Sequence, residues 1–91
     1  MAPEPTITPA EVLALRRVYG ETQPVFGLRL GFKKSCANTM VCRMERGRHV
    51  PRGTLAKLLR HLLSENRIAV YRELAAMRGG DDGVSSDAPN D

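Results

Sequence analysis

The sequence predicts an all-α domain of four to five helices that ends in a C-terminal amphipathic helix, and three features carry that expectation. Thr8-Pro9-Ala10-Glu11 has the spacing of a capping box, with Thr8 as the cap, Pro9 in the first helical position and Glu11 reaching back to the free amide. Leu55, Leu58, Leu59, Leu62 and Leu63 recur at the i, i+3, i+4, i+7 spacing of a buried helical stripe. Gly20 and Gly47 stand where helical patterns stop. At 91 residues there is room for one compact domain whose core a set of helices can just supply.

Residues 1–7 hold Pro3 and Pro5 among small and polar residues, a composition expected to form a flexible arm. The first helix then runs to about Tyr19, with Val12, Leu15, Val18 and Tyr19 as its apolar stripe. A second begins at Thr22-Gln23-Pro24 and reaches Leu30 or Gly31, with Val25, Phe26 and Leu30 on one face. Gly27 inside it costs about 1 kcal/mol relative to alanine, so its presence predicts that another backbone passes close by. Residues 31–35 read as a turn, and a third helix runs from Ala37 or Asn38 to Arg46. It turns Val41 and Met44 inward and leaves Asn38, Thr39, Cys42 and Arg43 outside. A fourth helix opens at Pro51-Arg52-Gly53-Thr54. A fifth segment, from about 65 to 78 and starting either separately or continuously with the fourth, carries Ile68, Tyr71, Leu74 and Ala75 along one side. The folded domain expected on these grounds spans 8–78, and residues 79–91 read as a disordered acidic tail with Asp81, Asp82, Asp87 and Asp91.

Charge is distributed unevenly. The chain carries a formal net charge of +4, and the stretch from Arg29 to Arg60 concentrates nine basic residues against the single acid Glu45. Such a patch, offset by acidic flanks, favours a polyanionic partner.

Thr22-Gln23, Phe26-Gly27, Leu30-Gly31-Phe32 and then Val41-x-x-Met44-Glu45-Arg46-Gly47-Arg48-x-x-Pro51 together form a pattern more specific than any of its fragments. From about Thr8 to Leu63 the chain resembles the lambda-repressor/Cro-like (XRE-type) family of helix-turn-helix regulators. The resemblance implies a lambda-repressor-like fold, with Arg16 on a leading helix, a Leu-Gly turn and a recognition helix closing at Glu45 and Gly47. Residues 8–78 are then expected to be a helix-turn-helix DNA-binding domain. Gly27 stands where that family usually has alanine, and Met44 where it has an aromatic. The interval from Gly31 to Val41 is ten residues where the family counts six. Either the turn is looped out, carrying Lys33 and Lys34 towards phosphate, or one of the flanking helices is longer than usual.

An α-helix fits the major groove, and polar side chains near its N-terminal end reach base edges. Asn38, Thr39, Cys42 and Arg43 are the base-contacting candidates: asparagine pairs bidentately with adenine, arginine with guanine, and threonine touches a thymine methyl. The resemblance implies that Gln23 bonds a phosphate and braces the reading helix. Lys33, Lys34, Ser35, Arg46, Arg48 and His49 are candidates to neutralise backbone charge. A carboxylate on such a helix is repelled by phosphate unless it turns away and is paired. The resemblance implies a structural salt bridge from Glu45 to Arg16.

These features imply double-stranded DNA as partner. The protein is expected to be a repressor that binds an inverted repeat as a homodimer, with Ile68, Tyr71, Leu74 and Ala75 as the dimer contact. Regulators of this type occur with phage, plasmid and anti-CRISPR genes. The alternative is an antitoxin or other interaction module that binds a protein through the last helix and the acidic tail. No cofactor is expected, and no metal, because Cys36-x5-Cys42 with distant His49 and His61 lacks the paired spacings of a zinc site. With no convincing nucleophile, acid pair or Gly-rich phosphate loop, an enzyme is not expected. Two cysteines, no apolar run of about 20 residues and no export signal predict a cytoplasmic protein without a membrane span.

Overall fold

The computed structural model of the chain describes residues 7–79, and among them every regular element is a helix: α1 (Pro9–Tyr19), α2 (Gln23–Arg29), α3 (Ala37–Glu45), α4 (Gly53–Glu65) and α5 (Arg67–Gly79). None of these helices is long and apolar enough to cross a membrane. Residues 1–6 of the expected arm and residues 80–91 of the expected acidic tail lie outside the described residues, whereas Gly79, assigned to that tail, is the last residue of α5.

The start of α1 follows its sequence signal. The Thr8 hydroxyl oxygen accepts from the Glu11 amide at 3.1 Å, and the Thr8 amide donates to Glu11 Oε1 at 2.9 Å, so two otherwise orphaned donors are satisfied reciprocally. Ile7, assigned to the arm by composition, is instead part of the core at 6% exposure. It precedes the cap and Val12 sits at the fourth helical position; both are buried in one cluster, as a hydrophobic staple requires. A single aliphatic residue among prolines was masked by the polar average around it.

α1 is the spine of the fold. Val12, Ala14 and Leu15 are buried along it, and it packs on α3, α4 and α5, while α2 and α3 form the most closely associated pair. Phe26, Leu15, Met44, Leu59, Val12 and Val41 are the largest fully buried side chains and draw one residue or more from each of the first four helices. Burying each contributes about 1.5–3 kcal/mol relative to leaving it in water. Of the leucine stripe on α4, only Leu59 is completely enclosed; Leu55, Leu58, Leu62 and Leu63 lie half-buried against the core.

Two apolar assignments differ from the sequence reading. Val25 is exposed at 48% and belongs with Leu28 on the outer side of α2, so of its large apolar side chains Phe26 reaches the core, joined by Leu30 just past its end. Seven residues give fewer than two helical turns, too few for periodicity to fix a face. On α5 the buried residue is Val70, and Leu74 turns with Met77 onto the core, whereas Ile68, Tyr71 and Ala75 stay exposed. The four-residue stripe expected on one side of that helix is therefore divided between core and surface, and α5 packs against α1 as well as α4. α4 and α5 are separate helices. They break at Asn66, whose side-chain amide donates to the Leu62 carbonyl at 2.9 Å and to the Tyr19 hydroxyl at 3.1 Å.

Candidate nucleic-acid interface

The α2–α3 pair is set by backbone closures at both ends. Gly31 takes a φ of 96°, which lets its amide donate to the Leu28 carbonyl and the Phe32 amide to the Gly27 carbonyl, each at 3.0 Å. Gly47, at φ 76°, repeats this at the end of α3: its amide donates to Met44 at 3.2 Å and the Arg48 amide to Arg43 at 2.8 Å. Both are Schellman closures, in which a left-handed residue satisfies the last free carbonyls. Between them, Gly27 makes close packing possible. A Cβ there would lie 2.6 Å from both the Cβ and the carbonyl oxygen of Ala37, so the first turn of α3 rests directly on the backbone of α2.

The ten-residue interval from Gly31 to Val41 is taken up by a looped-out turn. Neither α2, at seven residues, nor α3, at nine, is extended. Phe32 is half-buried against the core, and the chain then makes one tight turn in which the Cys36 and Ala37 amides donate to the Lys33 carbonyl at 3.0 and 2.9 Å. This leaves Lys33, Lys34 and Ser35 exposed immediately before α3.

α3 buries Ala37, Val41 and Met44, and this fixes what its other side presents. Asn38, Thr39 and Arg43 are exposed and Cys42 is half-buried. Arg46 and Arg48 are exposed just past its end, where His49 is half-buried. Basic residues thus flank an outward polar face about 13 Å long, given a 1.5 Å rise per residue. Arg52, exposed at the start of α4, continues the run, although the motif pattern did not single it out.

The acid of this stretch is withdrawn from that face. Arg16 Nε donates to Glu45 Oε2 at 2.6 Å and Arg16 Nη2 to Oε1 at 3.2 Å, a two-pronged pairing in which the Glu45 side chain keeps 9% exposure. Gln23 Nε2 donates to the same Oε1 at 2.9 Å, and Arg16 Nη1 donates to the Glu21 carbonyl at 3.0 Å. One carboxylate therefore ties α1, α2 and α3 together. A glutamate at the C-terminal end of a helix is disfavoured by the helix dipole, and the guanidinium offsets this. Gln23, expected to brace α3 while touching phosphate, is half-buried and bonded to Glu45.

A second ion pair closes the α1–α2 corner and was not anticipated from the sequence. Arg29 Nη2 donates to Glu21 Oε2 at 2.7 Å, and the guanidinium carbon lies 4.1 Å from the centre of the Tyr19 ring. The hydrogen bonds from Arg29, helped by its charge and opposed by partial burial, hold the Glu21 carboxyl below its ordinary pKa. Arg29 is correspondingly raised by those bonds. One of the nine cations of the basic stretch is thus engaged on the structural side. Among the described residues no group of three or more His, Cys, Asp or Glu side chains is placed to hold a metal ion, and Cys36 and Cys42 are free thiols. Comparison of the chain with protein-family models, with curated proteins and with solved structures finds no match in any of the three.

Proposed function

We propose that this chain is a sequence-specific double-stranded DNA-binding regulator with a lambda-repressor-like fold, acting as a repressor that occupies an inverted repeat as a homodimer. The observation that carries the reading is the division of labour on α3. Its apolar side is buried, its one carboxylate is locked to Arg16 and Gln23 away from solvent, and its outward side is polar and basic. A helix so disposed offers side chains to base edges without presenting a negative charge to phosphate.

In this reading Asn38, Thr39, Cys42 and Arg43 face the bases, while Lys33, Lys34 and Ser35 on one side and Arg46, Arg48 and His49 on the other meet the phosphates. The loop before α3 adds two lysines to the backbone contact, each of which strengthens binding and steepens its salt dependence. Arg16, Gln23 and Glu45 are positioning residues that fix the angle of α3. Selection of duplexes from a random-sequence pool tests the proposal. The expected product is a single enriched sequence arranged as two half-sites about one helical turn apart; a pool that stays unenriched after successive rounds overturns it.

A further inference from the structure

Resting on the reading of α3 as the face that meets DNA, we infer that residues 80–91 of this chain dock on that face and compete with the duplex for it. Lys33 and Lys34 precede α3, Arg43 projects from it, and Arg46, Arg48 and Arg52 follow it; all six are exposed. Among the described residues none of the six forms an ion pair, whereas Glu45, the one acid of the stretch, is engaged by Arg16, and Arg29 is engaged by Glu21. The surface therefore carries six unneutralised cations and no exposed carboxylate, and a field that attracts phosphates attracts aspartates as well.

Charge and connectivity identify the occupant. Residues 80–91 contain Asp81, Asp82, Asp87 and Asp91 and neither lysine nor arginine. The helices bring the start of this segment to the right end of the molecule. The head of α5 is tied to the last residue of α1 by the hydrogen bond from Asn66 to the Tyr19 hydroxyl, and α5 then packs along α1. Leu74, in its second half, shares a pocket wall with Glu11 in the first turn of α1, so α5 runs back towards the start of that helix. There Pro9 lies against Gly47: a Cβ on Gly47 would sit 3.4 Å from Pro9 Cγ. Gly47 stands between Arg46 and Arg48, so the segment leaves α5 on the side of the fold where α3 closes. At about 3.3 Å or more per residue, its length spans up to about 40 Å, several times the length of α3. A tethered strand also acts at an effective concentration on the order of 1 mM, which a separate acidic protein seldom reaches. The exposed cations nearest to it on its own helix, Arg72 and Arg78, compete poorly because Glu73 accompanies them.

Nuclear magnetic resonance of the full chain without DNA tests the contact, with a variant in which Asp81, Asp82, Asp87 and Asp91 are all asparagine. These positions lie outside the packed helices, so the core is left as it is. At low salt the backbone amide shifts of the two proteins are expected to differ at Lys33, Lys34, Arg43, Arg46, Arg48 and Arg52, and the differences should vanish at high salt. The variant should also bind the selected duplex about threefold or more tightly at low salt, because a face covered two-thirds of the time binds with a third of its intrinsic affinity. Identical shifts across α3 and its flanks, or differences confined to Arg72 and Arg78, would overturn the docking. So would tighter binding of DNA by the variant with no shift difference, which marks a diffuse effect of net charge. The two readings fail separately. Shift differences in a protein that binds no duplex would leave the contact standing and sink the DNA-binding reading, whereas sequence-selective binding without shift differences would do the reverse.

Discussion

Arg16 and Glu45, separated by 29 positions in the chain, meet through two hydrogen bonds of 2.6 and 3.2 Å that join the spine helix to the end of α3. Removing the arginine leaves a mostly enclosed carboxylate with Gln23 as its remaining side-chain donor. Arg16→Ala is therefore expected to lower the unfolding free energy by about 2 kcal/mol, less than the loss of a fully buried pair because Arg16 stays partly solvated. Glu45→Gln should cost about half as much, since its carbonyl oxygen still accepts. Urea unfolding with an unchanged m-value measures both; a loss below about 0.5 kcal/mol for Arg16→Ala would show that the bridge is incidental.

Gly27→Ala sets two effects against each other. Helix propensity favours alanine by about 1 kcal/mol, but its Cβ would lie 2.6 Å from Ala37, including the carbonyl of the first turn of α3. Overpacking against backbone costs about 1–3 kcal/mol, so the variant is expected to be less stable overall. Adding Ala37→Gly should restore only part of the loss, because it removes the Cβ contact and leaves the carbonyl. A Gly27→Ala protein more stable than wild type in thermal unfolding would refute this account of the α2–α3 approach.

The Glu21–Arg29 pair predicts a pH dependence with a definite sign. Because the folded state holds the Glu21 carboxyl below its ordinary value, the pair stabilises the fold above the unfolded-state pKa, and that contribution disappears as pH falls through the depressed folded-state value. The stability difference between wild type and Arg29→Ala should therefore be constant near neutral pH and narrow in the acid range. Parallel denaturation series at several pH values decide the matter; a difference that widens towards acid contradicts the assignment.

Local signals in the sequence proved sufficient where the physics is local. The Thr8–Glu11 box and the stop at Gly47 each need only a few neighbouring residues and are found where the spacing puts them. Gly27 announced a close approach without naming its partner, since Ala37 is ten positions away and brought near by the turn. The Arg16–Glu45 bridge was foreseeable only through resemblance to a family pattern, because nothing in periodicity couples residues so far apart. Faces were misread where a helix was short or faced two neighbours. Val25 was turned inward on α2, and on α5 Leu74 was grouped in one stripe with Ile68, Tyr71 and Ala75, which stay exposed, while Val70 was overlooked. The candidate reading face was legible because burial of Val41 and Met44 leaves Asn38, Thr39 and Arg43 nowhere else to point.

The measurement that bears most directly on the central claim is equilibrium binding of the wild type and Arg43→Ala to the selected duplex and to a scrambled duplex across a range of salt. The wild type should prefer the selected sequence. Its affinity should fall linearly on a log–log plot against salt, with a shallower slope when Lys33 and Lys34 are both replaced by alanine. Arg43→Ala should forfeit about 1–3 kcal/mol of the preference while retaining most of the salt dependence. Equal affinity of the wild type for both duplexes at every salt concentration, or no binding to either, would contradict the assignment of α3 as a reading helix.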